Sequence, residues 1–176
     1  MKRRQFVGAG MIVPLLLMNR QAWAKAKLTE DVSAVDDAAL GELLRLPLPD
    51  LDGNTVTLQD LTDARLTIVN FWASWCAPCV REMPALDALH KQQQSVSVVG
   101  IGLDTDANIQ AFAAKTPVSY PLLMAGAGKI SLMRKLGNPK GGLPYTLVLD
   151  HAGQPQATIL GEIEMDELAA FAKRHA

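Results

Sequence analysis

The sequence predicts an α/β sandwich, a central mixed sheet covered by helices. Two observations carry this. Near-continuous apolar runs, Leu66 to Phe71 and Val96 to Gly102, alternate with stretches of helical pattern, as parallel βαβ connections require. Two further β-rich runs then flank the short turn His151-Ala152-Gly153, which reads as an antiparallel hairpin closing the sheet.

The elements follow in order. Thr55 to Leu58 is a short strand after the Asp52-Gly53 turn. Leu66 to Phe71 is a strand buried on both faces. A helix runs from about Ala77 to Gln93, with Met83, Leu86 and Leu89 on one apolar side and Pro84 inside it, where a kink is expected. Val96 to Gly102 is the second buried strand. Asp104-Thr105-Asp106 opens a helix ending near Lys115. Pro121 to Met124 is a short strand, and Lys129 to Leu136 is a helix stopped by Gly137. Tyr145 to Asp150 and Gln156 to Leu160 form the hairpin, and Glu164 to Lys173 is the closing helix.

The N-terminus reads as an address. Lys2, Arg3 and Arg4 precede an apolar stretch from Phe6 to Met18, and Ala22-Trp23-Ala24 offers a small-x-small cleavage site. The stretch is short for a membrane span, which needs about 20 residues. Arg3-Arg4-Gln5-Phe6-Val7 is similar to a twin-arginine export motif. Residues 1–24 are therefore expected to be a signal peptide and the mature chain periplasmic; left uncleaved, the apolar stretch would serve as an anchor. Residues 25–45 read as a loose leader in which Ala38 to Leu44 could form a short helix, and residues 46–176 as one domain.

Charge narrows the partners. The chain carries 17 basic and 18 acidic residues, and the signal holds four of the basic ones and no acid, leaving 13 against 18, or net −5. That argues against nucleic acid and anionic membranes. About 150 mature residues suffice for one domain with a substantial core.

The chemistry is concentrated at Cys76-Ala77-Pro78-Cys79, which holds both cysteines of the chain. Following a strand and opening a helix, Cys76 falls at the helix N-terminus and Cys79 one turn inside. Unpaired N–H groups and the positive dipole end favour a thiolate there. The pair can exchange a dithiol for a disulfide. Zinc would need further ligands, and His90, His151 and His175 show no ligand spacing. Haem attachment needs a histidine at position 80, where Val80 stands. No metal or cofactor is expected.

The segment Asn70-Phe71-Trp72-Ala73-Ser74-Trp75-Cys76-Ala77-Pro78-Cys79-Val80-Arg81-Glu82-Met83-Pro84 resembles the TlpA/ResA/DsbE group of thioredoxin-like proteins. Asp50 to Leu58 resembles that group's N-terminal hairpin, and Gly142 to Asp150 its cis-proline loop and following strand. The resemblance implies a thioredoxin-like three-layer α/β/α sandwich with a central mixed sheet and an N-terminal β-hairpin extension. It implies a thiol-disulfide oxidoreductase. Cys76 would be the nucleophile and Cys79 the resolving thiol, with Glu82 exchanging protons with them, unless Glu82 is simply a solvated helix residue. Pro144 would be cis, and Leu143 would offer backbone groups to substrate. Trp75 reads as a substrate contact, Trp72 as core and His90 as surface. Asn70 stands where thioredoxins usually carry a buried aspartate, and it cannot take up that proton.

Ala77-Pro78 places no charge between the cysteines, so a reductant is expected rather than an oxidant. The substrates implied are exported proteins with disulfides, apocytochrome c among them. The Gly-Val-Tyr-Gly-Ala-Pro loop of one cytochrome-maturation branch is replaced here by Gly-Gly-Leu-Pro. The implied electron donor is a membrane thiol transporter of the DsbD/CcdA type, and the implied state is a monomer. Two alternatives stand beside this reading. A thiol peroxidase of the peroxiredoxin type would carry threonine at position 73, where Ala73 stands. A redox-inactive binding module would not need both Cys76 and Cys79.

Overall fold

The computed structural model describes residues 26–175; the expected signal, residues 1–24, lies outside the described residues. One six-stranded mixed sheet has the order β1-β8-β7-β4-β5-β6, with β1 Leu28–Thr29, β4 Leu66–Trp72, β5 Val96–Gly102, β6 Leu122–Met124, β7 Tyr145–Asp150 and β8 Pro155–Leu160. β4, β5 and β6 run parallel; β7, β8 and β1 add antiparallel. A separate hairpin pairs β2 Leu48–Pro49 with β3 Thr55–Val56. The helices are α1 Asp37–Arg45, α2 Ala77–Gln92, α3 Asp106–Ala113, α4 Ile130–Lys135 and α5 Met165–His175. This is the expected three-layer sandwich. Among the described residues no helix is long and apolar enough to cross a membrane.

Strand alternation sorts the core into two layers. Ile68, Trp72, Val98 and Val148 pack with Met83 and Leu86 of α2 and Leu168 and Phe171 of α5. Val69, Phe71, Val99, Ile101, Leu147 and Leu149 face the other way, onto Leu40 and Leu43 of α1 and Leu132 and Met133 of α4. With a period of two, Asn70 must point to the α2 side. Gly100 shares that side, and a Cβ there would stand 2.6 Å from Leu122 Cδ2 and 3.2 Å from Trp72 Nε1. Its missing side chain makes room for the Trp72 indole beneath the end of β4.

Two hairpin turns are built alike. Asp50 Oδ1 accepts from the N–H groups of Asp52 and Asn54, at 2.9 and 2.8 Å, and Asp150 Oδ1 accepts from Ala152 and Gln154, both at 2.9 Å. Each turn then needs a positive φ, supplied by Gly53 (83°) and Gly153 (74°).

Three expectations need correction. Residues 25–45 are not a loose leader once past Lys27. β1 pairs with β8, Val35 bridges to Leu136, and Asp36 caps α1 by accepting the Ala39 N–H at 2.7 Å. Leu40 and Leu43 then enter the core. An isolated two-residue strand has no periodicity to read, which is why the sequence hid this. Leu43→Ala is therefore expected to cost about 2–5 kcal/mol of stability, measured as a denaturant midpoint shift; a loose segment would show no shift. Second, β3 ends at Val56. The Asp60 carboxylate accepts from the Thr57 N–H and hydroxyl, at 3.0 and 2.6 Å, and starts a 3-10 turn, Leu58–Leu61, instead. Third, His90 is half-buried, not simply surface. β6 pairs with β5 only from Gly100 onward, and His90 Nδ1 accepts the outward Val98 N–H at 3.2 Å.

Candidate active site

β4 delivers the redox loop. Its last residues pair with the start of β7, Phe71 opposite Tyr145, so the chain leaving β4 at Trp72 emerges beside the chain entering β7 at Pro144. The Leu143–Pro144 peptide bond is cis, as the resemblance implied. Leu143 is half-buried and packs against both core layers.

Cys76 is the N-cap of α2, and its sulfur accepts the Cys79 N–H at 3.4 Å. Pro78, in the first turn, has no N–H to leave unsatisfied. Cys76 and Cys79 are joined as a disulfide, with Cα atoms 5.3 Å apart. Cys76 is 5 % exposed and Cys79 0 %, so attack from outside can reach only Cys76. Trp75, 68 % exposed, projects beside it.

Glu82 does not lie on a solvated helix face: it is 3 % exposed. Its Oε1 accepts from Asn70 Nδ2 at 2.8 Å, and its Oε2 accepts the Ile163 N–H at 2.9 Å. Asn70 also donates to Thr146 Oγ1 at 3.1 Å, while its own Oδ1 has no partner. Burial pushes the Glu82 pKa up to about 7, against the lowering effect of the Ile163 and Asn70 hydrogen bonds. A carboxyl that changes charge near neutrality thus sits one helical turn from Cys79.

Sequence reasoning missed a second polar anchor. Ser74 Oγ donates to Asp104 Oδ2, and Asp104 Oδ1 accepts from the Thr105 N–H at 2.7 Å and Asn108 Nδ2 at 2.9 Å. Burial raises the Asp104 pKa, but these hydrogen bonds outweigh it and hold the carboxyl below its usual value. With the Leu103 N–H donating to the Trp72 carbonyl at 2.8 Å, the end of β5 ties down the loop between Trp72 and Cys76. Asp104 was legible only as a helix-start signal. Nothing in the sequence pairs it with Ser74.

The segment after β8 joins helix and loop. The Gly161 N–H donates to the Pro144 carbonyl at 2.9 Å. Arg81 and Glu162 form a two-pronged ion pair at 3.1 and 2.6 Å; it is solvent-exposed, so its worth is small. Among the described residues no group of three or more His, Cys, Asp or Glu side chains is placed to hold a metal ion.

Comparison with known proteins places this geometry in company. The model of the AhpC/TSA family matches residues 42–157. The thiol:disulfide interchange protein HelX of Rhodobacter capsulatus is 35% identical over 163 residues, 89% of either chain. The thiol-disulfide oxidoreductase ResA of Oceanobacillus iheyensis is 26% identical over 175 residues, 97% of this chain and 88% of that one. Among solved structures, a thioredoxin-related protein from Neisseria meningitidis serogroup B is 43% identical, with a TM-score of 0.61 over 70% of this chain and 93% of its own. MTB DsbF superposes with a TM-score of 0.64 at 25% identity, covering 81% of this chain and 99% of its own.

Proposed function

Because the chain belongs to the AhpC/TSA family and is a thiol-disulfide oxidoreductase of the ResA, HelX and DsbE type, we propose that it acts in the periplasm as a reductant of disulfides in exported proteins. The observation that carries the direction is the surroundings of the cysteine pair. No charged residue stands between Cys76 and Cys79 to stabilise a thiolate, and a buried carboxyl lies one turn away. A nearby carboxylate disfavours the thiolate, and so favours the disulfide form of this protein over its dithiol. A protein that prefers its own disulfide is a reductant.

The Cys76 thiolate attacks one sulfur of a substrate disulfide, and the other substrate sulfur leaves and takes a proton. The Cys79 thiol gives its proton to Glu82 and attacks the Cys76 sulfur. The second substrate sulfur departs as a thiolate and takes up the proton that Glu82 then releases, so the substrate gains two electrons and two protons while Cys76 and Cys79 are left as a disulfide. Trp75 and the backbone at Leu143, presented by the cis Pro144, hold the substrate. Apocytochrome c before haem attachment is one substrate of this kind, an extension that rests on the family resemblance. A membrane thiol transporter of the DsbD/CcdA type restores the dithiol. The buried Ala73 methyl leaves no hydroxyl three residues before Cys76, which argues against peroxide chemistry.

One preparation tests location and direction. Protein from the periplasmic fraction is expected to begin at Lys25. Equilibrated with glutathione, it should show a potential nearer roughly −270 mV than roughly −120 mV. A value at the oxidising end overturns the reductant reading, and an intact Met1 in that fraction overturns cleavage.

A further inference from the structure

Between Asp106 and Asp150 the chain has no acidic residue but five basic ones: Lys115, Lys129, Arg134, Lys135 and Lys140. The expected mature chain is net −5, so this stretch opposes the rest of the molecule. Two of these charges, Arg134 and Lys140, flank the cis-proline loop. Arg134 lies on α4 with its Nε 2.9 Å from the place a Cβ on Gly141 would occupy, so its guanidinium crosses the loop two residues before Leu143. Lys140 immediately precedes that glycine. Arg134, Lys135 and Lys140 are exposed, and among the described residues none of them makes an ion pair. Glu162, the acid that follows β8 beside this rim, is already engaged by Arg81.

We propose that Arg134 and Lys140 form a docking surface for acidic residues flanking the disulfide of the polypeptide substrate. The inference rests on the reading of the chain as a disulfide reductant. A substrate cysteine at Cys76 brings its neighbouring residues past Leu143 and Gly141, where an unpaired guanidinium and ammonium wait in water. Opposite charges at such a rim act mainly on the encounter rate, and salt screens them.

The test uses the reduced mature protein and two disulfide-bridged peptides differing only in acidic or basic residues beside the cysteines, with hydroxyethyl disulfide as an uncharged reference. At low ionic strength the acidic peptide should be reduced roughly three- to tenfold faster than the basic one, and the gap should close in 0.5 M salt, roughly a 4 Å screening length. In Arg134→Glu/Lys140→Glu the ratio of the two peptide rates should invert, each normalised to the reference. Equal rates for the two peptides in the wild type, or a preference for the basic one, overturns the docking surface while leaving the reductant reading intact. Failure to reduce the uncharged reference overturns both.

Discussion

Cys76→Ser is expected to abolish disulfide exchange, whereas Cys79→Ser should retain attack and accumulate mixed disulfides. The asymmetry follows from access. Cys76 caps α2 and is the cysteine of the pair with any exposure, while Cys79 is fully enclosed. Without Cys76 no sulfur can reach a substrate, and the loss should be complete within the detection limit of a turnover assay. Without Cys79 the first step proceeds but nothing resolves its product. Non-reducing electrophoresis should therefore show substrate adducts for Cys79→Ser and none for Cys76→Ser. Reversed phenotypes would mean that the buried sulfur becomes the nucleophile, through an opening of the α2 N-terminus that this structure does not show.

Glu82→Gln should separate stability from chemistry. The Glu82 pKa is raised from 4.5 to about 7, chiefly by burial. The folded state therefore keeps a proton that the unfolded state releases, and stability falls as pH rises through that window. Well above pH 7 the whole penalty is present, on the order of 3 kcal/mol. Gln avoids it, and its amide can donate to the unpartnered Asn70 Oδ1 once that amide turns over. The variant should thus be more stable than wild type at pH 8 by up to that amount, and equal to it near pH 4. In the same variant the apparent pKa of Cys76 should drop, because a repelling carboxylate is gone. Turnover should slow above neutrality, where Glu82 accepts the Cys79 proton. Superimposable alkylation profiles, with the stability change intact, would restrict Glu82 to a structural role.

The sequence displayed whatever rests on local pattern. β4 and β5 were visible as apolar runs, and α2 through its spacing and its cysteine cap. The turn at Gly153 was visible because aspartate and glycine build such turns in a fixed way. Pro144 was legible only through family resemblance, since nothing local makes an X-Pro bond cis. The Glu82 network was half legible. Parity along β4 sends Asn70 toward α2, but the second partner is a backbone N–H at Ile163, and a backbone group leaves no mark in a sequence. Ser74 and Asp104 escaped for a related reason, because their meeting depends on how β4 and β5 end side by side. α1 was seen as a helix but not as part of the core, because its burial depends on α4 and on strands that come much later in the chain.

β1 contributes only two rungs, Leu28 to Ile159 and Thr29 to Thr158, yet it guards the outer border of the last strand. An open strand border offers free N–H and C=O groups to any passing chain and is a common route to aggregation. These rungs join opposite ends of the polypeptide, so closing them carries a high loop cost and comes late in folding. Until then, two copies of the domain could knit together along β8. The residues of β1 thus act as a clasp over a border along which neighbouring molecules could otherwise pair.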